Sequence, residues 1–307
     1  MSRSPFGLRQ HVGGCIIAIE QPGHGGLAYF PCRYGASRQM FRGPARALKG
    51  DYLACLGGDE TYGRYIARPF PGMLEEDFGL PVVNLGIANA GPDVFLSDPA
   101  LLEIVNCARA VVLRMPGALN MSNRYYSVHP MRNDRFLNAT GLLQGLFPNF
   151  DFTGFHHVGQ MLTTLCACDA DAFASLRREL QETWVLKMEM LLDRIAPPVL
   201  GFWFAAQAPR KQSAALPEPR PDLLPSLSAA LVTEAMLTRI STLTKGFAYT
   251  IPSSALLERG TQGMFFAPDE AATAARHFPP AAHELAAEML IDPLTAILSD
   301  KRTRRAR

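Results

Sequence analysis

Apolar residues in this chain come in short unbroken runs, each ending at a glycine or polar junction. That is how strands read when they are buried on both faces of a parallel sheet. Five such runs predict strands over 52–56 (YLACL), 81–85 (PVVNL), 110–115 (AVVLRM), 199–205 (VLGFWFA) and 246–251 (GFAYTI). Helical patterns fall between them. A helix is predicted over 61–77 with a kink at Pro69 or Pro71. Another spans 97–107, started by Ser97 with Pro99 in its first turn. Further helices are predicted over 140–147, 155–166, 169–195, 228–241 and 279–298. In the 169–195 helix, Phe173, Leu176, Leu180, Trp184, Met188, Leu191 and Leu192 recur at steps of three and four, which makes one apolar face. Strands alternating with helices predict a three-layer α/β/α domain around a mainly parallel five-stranded sheet, flavodoxin-like in type.

The remaining segments are punctuated differently. Residues 1–50 carry two candidate strands, CIIAIE at 15–20 and GLAYF at 26–30, and then a basic connector with Arg33, Arg38, Arg42, Arg46 and Lys49 but no acid. The α/β domain is expected over 51–298 and a basic tail over 299–307. After the third strand, GALNMSNRYYSVHPMRNDRF makes a connection of about twenty residues, well beyond the usual two to six. The proline-rich 206–227 reads as an irregular excursion.

Composition narrows the function. With 307 residues, 48% of them hydrophobic, the chain can bury a full core. The formal charge of +2 arises in the tail KRTRRAR, which holds five basic residues and leaves 25 basic against 28 acidic residues elsewhere. A mildly acidic body argues against nucleic-acid binding. Six cysteines without a CxxC pair point to a reducing compartment, and Cys55 and Cys107 sit in apolar surroundings expected to be buried. VGGC at 12–15 lacks a preceding apolar region, and no run approaches the roughly 18 residues of a membrane span. These features predict a soluble, cytoplasmic protein with no transmembrane segment.

Ligands of open α/β sheets bind outside the carboxyl ends of the strands, so GGDET after the first strand and GIANAGPD after the second are candidate site loops. Gly57, Gly58 and Thr61 can present backbone N–H groups to an oxyanion, or else form a tight turn with Thr61 as a helix cap. Asp59 and Glu60 add negative charge that weakens anion binding there and suits a cation, a sugar hydroxyl or a general base. Asn89 and Asn120 are amides that can donate to an oxyanion or bracket a sugar hydroxyl, and Asp93 suits a cap or turn. His283 opens the last helix, where it can act as a base. Arg38 and Arg42 offer a clamp for an anion, or else belong to a solvated basic connector entering the domain. Arg124, His129, Arg132, Asn133, Asp134 and Arg135 share the long loop with Tyr125 and Tyr126, as a recognition surface for an anionic or glycan-like ligand or as a self-paired loop. The adjacent His156 and His157 point apart and make no metal pair, and no metal site is expected.

The order of these loops resembles the SGNH or GDSL hydrolase superfamily. Gly57 and Thr61 match the ends of its GDSxT block, Gly86 its second-block glycine, Gly117 and Asn120 its GxND block, and His283 its late histidine. Asp59 stands where that family has its nucleophilic serine, and Pro280 where it has the acid three residues before histidine. The segments FRGP, GGDETYG, NAGPDVFL and SNRYYSVHPMRNDRF also identify the chain as a member of a bacterial family of unknown function. With that serine absent and arginine-rich segments favouring an anionic ligand, the reading is an SGNH-like group transferase moving an acyl, sulfo or similar group from an anionic donor to a glycan or lipid hydroxyl. A coenzyme A thioester or a sulfonucleotide would be such a donor, with no cofactor held tightly. The alternatives are a hydrolase with a non-standard nucleophile, for which Thr61 is the hydroxyl on offer, and a catalytically silent small-molecule binding protein. Oligomeric state is left open.

Overall fold

The structure is a computed structural model that describes residues 26–211, 229 and 231–300. Strands β1 (Leu53–Gly57), β2 (Val82–Gly86), β3 (Ala110–Arg114), β6 (Val199–Phe204) and β7 (Gly246–Thr250) form one parallel sheet in the order β2-β1-β3-β6-β7. Between β3 and β6 lies an antiparallel pair, β4 (Tyr126–His129) and β5 (Arg132–Ala139). With that pair set aside, the main sheet has the 2-1-3-4-5 order of the flavodoxin-like doubly wound fold.

Strand alternation divides the core into two layers. Leu53 and Cys55 of β1, Val112 of β3, and Phe202 and Phe204 of β6 face α2 (Phe70–Phe78) and the last helix, α11 (Pro280–Ser299). Ala54, Leu56, Val111 and Leu113 face α4 (Pro99–Asn106) and α7 (Ala170–Asp193). Because both faces are covered, the strands need no polar side, and this explains their continuous apolar runs. The seven predicted stripe residues of α7 are all buried. Asp169 caps that helix by accepting from the Asp171 and Ala172 N–H groups at 3.0 and 2.9 Å. Trp184 Nε1 donates to the Pro116 carbonyl at 3.0 Å and so anchors the loop that leaves β3.

Several predicted boundaries move. The 61–77 helix is two helices, α1 (Asp59–Tyr62) and α2, because Gly63 closes the first in a left-handed conformation at φ 70° and Pro69 caps the second. Gly58, not Thr61, is the cap residue of α1. Ser97 closes a short helix, α3 (Pro92–Leu96), and Asp98 caps α4 by accepting from the Leu101 N–H at 3.1 Å. The twenty-residue loop contains β4 and the start of β5, with Tyr126, Val128 and Phe136 turned to the core. After β5 come α5 (Gly141–Leu146) and α6 (Val158–Cys168), and α8 (Glu234–Ser241) begins later than predicted, at a Thr233 cap. No strand forms over 26–30; the connector makes a single bridge between Cys32 and Phe41. Cys107 is exposed, since it ends α4 at the surface, while Cys55 is buried as expected. The 15–20 strand, most of the proline-rich excursion and most of the tail lie outside the described residues. No helix among the described residues is long and apolar enough to cross a membrane.

Candidate active site

The loops that follow β1, β2 and β3 meet at Asp59. Its Oδ2 accepts the backbone N–H of Asn89 at 2.8 Å, and Asn120 Nδ2 donates to the Asn89 carbonyl at 2.9 Å. Asn89 holds this position in the left-handed region at φ 54°, which Asn tolerates better than most residues. Two glycines make the approach possible. A Cβ on Gly86 would lie 2.2 Å from the Tyr62 nitrogen, and one on Gly91 would lie 1.6 Å from the Asn120 carbonyl oxygen. Both contacts are to backbone, which has nowhere to retreat.

Glu60, next in α1, pairs with Arg114 at 2.7 Å. Arg114 ends β3 and also donates Nε and Nη2 to the Phe204 carbonyl at the end of β6, at 3.3 and 2.8 Å. His277 arrives from the segment that follows α9 (Ser254–Leu257) and α10 (Ala271–Ala274), just before α11. Its ring stacks on Tyr65 with centroids 5.2 Å apart, and its Nε2 is buried with no hydrogen-bond partner among the described residues. Tyr65 is itself held, its hydroxyl donating to Glu270 at 3.1 Å while Arg64 lies over its ring at 4.9 Å. Asp59, Glu60, Arg114, Arg276 and His277 line a cavity of about 270 Å³ closed on its apolar side by Ala205 and Phe278. A cavity near that size takes a small ligand or the reacting end of a larger one.

Burial sets the proton affinities here. It raises the pKa of Asp59, opposed by the Asn89 N–H and the Arg114 charge, and raises that of Glu60, again opposed by Arg114. The same burial lowers His277, with the Glu60 charge pulling the other way. Carboxyls shifted up beside an imidazole shifted down, in a cleft at the strand ends, mark this as a candidate functional site.

Other predicted residues go elsewhere. Thr61 is fully buried and directs its hydroxyl to the Leu56 carbonyl at 3.5 Å, so it cannot meet a substrate. Gly57 is tight against it: a Cβ there would lie 2.2 Å from Thr61 Oγ1. Gly58 is buried beside the acids, and Gly117 is half-buried three residues beyond Arg114. The Asn89 backbone N–H goes to Asp59 and one Nδ2 hydrogen of Asn120 to the Asn89 carbonyl, so both loops are tied to Asp59, while the Asn89 side-chain amide is exposed.

His283 touches the cavity wall but is 1% exposed. It stacks on Phe70, its Nδ1 accepts from the Phe70 N–H at 3.5 Å, and burial drops its pKa to about 3. It is a neutral core histidine.

The arginine clamp also dissolves. Arg42 is buried and donates to the carbonyls of Tyr62, Gly63, Ile66 and Ala67, and burial lowers its pKa to about 10. Arg46 pairs with Glu75 at 2.7 Å, and Arg38 is an exposed connector residue outside the cavity lining. On the hairpin, Arg124 binds Glu179 through Nε at 2.6 Å, and Arg132 pairs with Asp134 at 3.6 Å. His129 Nδ1 accepts the Met131 N–H at 3.2 Å. Asn133 Oδ1 accepts from the Gly91 and Val94 N–H groups at 3.1 and 2.9 Å, so it ties the hairpin to the main fold. Arg135 bridges to His157 through backbone. Within the loop only Arg132 and Asp134 pair, Arg124 being taken by Glu179 of α7, and none of these side chains lines the cavity. Asp93 accepts from the Ser122 N–H at 2.7 Å and from Lys187. Among the described residues no group of His, Cys, Asp and Glu is arranged to hold a metal ion.

Arg114 and His277 went unnoticed in the sequence. An arginine inside the apolar run AVVLRM, at the end of a central strand, was a usable signal. His277 carried none, because only the return of the chain before α11 brings it to the strand ends.

A family model described as "Domain of unknown function (DUF6473)" matches residues 17–298. The chain belongs to this family. Among curated proteins none matches the chain. Solved structures give distant likenesses. A gut microbial diltiazem-metabolizing enzyme is 11% identical at a TM-score of 0.42, covering 80% of this chain and 47% of that one. This DUF6473 chain thus spans about half the length of that enzyme. A carbohydrate esterase family 2 enzyme with a carbohydrate binding domain, from Corynascus thermopiles (Myceliophthora fergusii), is 11% identical at 0.38, covering 83% and 69%. A protein from Lactobacillus plantarum is 13% identical at 0.36, covering 80% and 97%.

Proposed function

We propose that this DUF6473 protein transfers an acyl or similar group to a hydroxyl by direct attack, with Asp59 as general base. One observation carries the reading: the Asp59 carboxyl, at the position where the resembled family has its serine, has no ion-pair partner among the described residues and faces the cavity beside His277. Direct attack requires no enzyme nucleophile. The acceptor O–H gives its proton to Asp59 as its oxygen bonds to the acyl carbon. The donor's C–O or C–S bond then breaks, and the leaving oxygen or sulfur departs with the electron pair and takes the proton back from Asp59. Arg114, paired with Glu60, offsets the Glu60 charge, so that Asp59 is the carboxylate left to act. Water as acceptor turns the same step into hydrolysis. A coenzyme A thioester remains a candidate donor, presenting its acyl end to a cavity too small for the whole molecule.

The test is turnover of 4-nitrophenyl acetate and acetyl-coenzyme A by the purified chain and by Asp59→Asn. Asn keeps the acceptor oxygen for the Asn89 N–H, so the fold should survive. Loss of the base should cost about 100-fold or more in kcat. Equal turnover by the two proteins refutes the assignment.

A further inference from the structure

Among the described residues, charges around the cavity cancel in pairs except at two positions. Glu60 is neutralised by Arg114 at 2.7 Å, and Arg64, the other guanidinium of the first loop, by Glu270 at 3.1 Å. Arg42, behind this wall, is spent on backbone carbonyls. What is left is Asp59, half-buried, and Arg276, exposed, which makes no ion pair or side-chain hydrogen bond among the described residues. The cavity is therefore polarised, with one unpaired negative group set in and one unpaired positive group at its outer side. Ala205, Ala206 and Phe278 add apolar surface to the same cavity.

A ligand that fits this arrangement has complementary ends. An anion meets Arg276, whose planar fork suits a carboxylate or a phosphate oxygen pair. The reacting, uncharged end meets Asp59. An anion at Asp59 would be repelled, so the polarity also sets which way round the ligand enters. We infer that the substrate is a small molecule bearing a carboxylate or phosphate that docks on Arg276, with its acyl or hydroxyl end held at Asp59. This places anion recognition on a residue seven positions before His283 rather than on the connector or the hairpin. The inference rests on Asp59 as the base for the orientation of the ligand, but not for the anion site.

Two measurements test it. First, 4-nitrophenyl acetate and 4-nitrophenyl hemisuccinate share a leaving group and differ in a carboxylate. The wild-type chain should favour the hemisuccinate by about tenfold in kcat/KM, through KM. In Arg276→Ala that ratio should fall to near one, and Arg276→Lys should restore part of it. Second, succinate and inorganic phosphate are titrated in thermal shift. At least one should raise the Tm of the wild type by several degrees near saturation and leave Arg276→Ala unmoved. Which anion does so identifies the anionic group.

A ratio equal in wild type and Arg276→Ala, or no shift with either anion, overturns the inference. If acetate turnover is lost in Asp59→Asn while no anion preference exists, the base assignment stands and this inference falls. Arg276-dependent anion binding together with turnover unaffected by Asp59→Asn leaves the anion site and removes the base.

Discussion

At Arg42 four hydrogen bonds run to the carbonyls that follow α1, and the side chain is buried. At the cavity a few residues away, Asp59 accepts one backbone N–H, His277 Nε2 has no partner and Arg276 pairs with nothing described. Both regions are rich in charge, and both flank the same short helix. In the first, every polar group is used up by the fold, so the arginine acts as a bracket that shapes the chain carrying Arg64 and Tyr65. In the second, polar groups are left over at a cavity, and leftover polar groups are available for chemistry. Counting what the protein's own backbone already consumes separates a structural cation from one that can meet a ligand.

Three changes test this contrast beyond the two experiments already described. The largest effect belongs to Arg42→Met, which leaves four carbonyls without their donor. It should cost about 3 kcal/mol or more of unfolding free energy in urea, whereas Asp59→Asn should stay within about 1 kcal/mol. Comparable losses in the two variants would dissolve the distinction.

Next comes His283. Its folded pKa of about 3 lies below the unfolded value of 6.5, so its contribution to stability is fully present above pH 6.5 and is lost as pH falls toward 3. His283→Phe should abolish that part of the acid destabilisation, on the order of a few kcal/mol between those limits. An unchanged stability profile against pH would show that His283 does titrate in the fold and return it to the candidate bases.

The smallest effect is expected at Arg132, exposed and paired at 3.6 Å with Asp134. Arg132→Ala should change stability by less than about 0.5 kcal/mol and leave turnover and anion binding unchanged. A loss of succinate or phosphate binding in this variant would move recognition back to the hairpin.

Much of the architecture was legible from local pattern. The five strands, the α7 stripe and the last helix follow from apolar spacing alone, because a doubly covered sheet demands it. The loops that follow the first and second strands were legible as strand-end loops, and they are the ones that meet at Asp59. Misreadings occurred where a residue type has two uses. Thr61 after a glycine pair reads as a cap or a nucleophile, yet it is the buried third residue of α1. His283 at a helix start reads as a base, yet the ring is packed between Phe70 and Phe204. Arg124 reads as a free cation, yet Glu179, 55 residues later on α7, binds it.

The sequence by itself determined the layers, the sheet and the strand ends where ligands would meet polar loops, since these depend on periodicity and glycine, which act over a few residues. Only the tertiary structure decided which charged residues are spent and which are spare. That outcome depends on partners far apart in the chain: Glu60 with Arg114, Tyr65 with Glu270 and His277, Asn89 with Asp59. A charge's availability is a property of its surroundings, and surroundings exist only once the chain has folded.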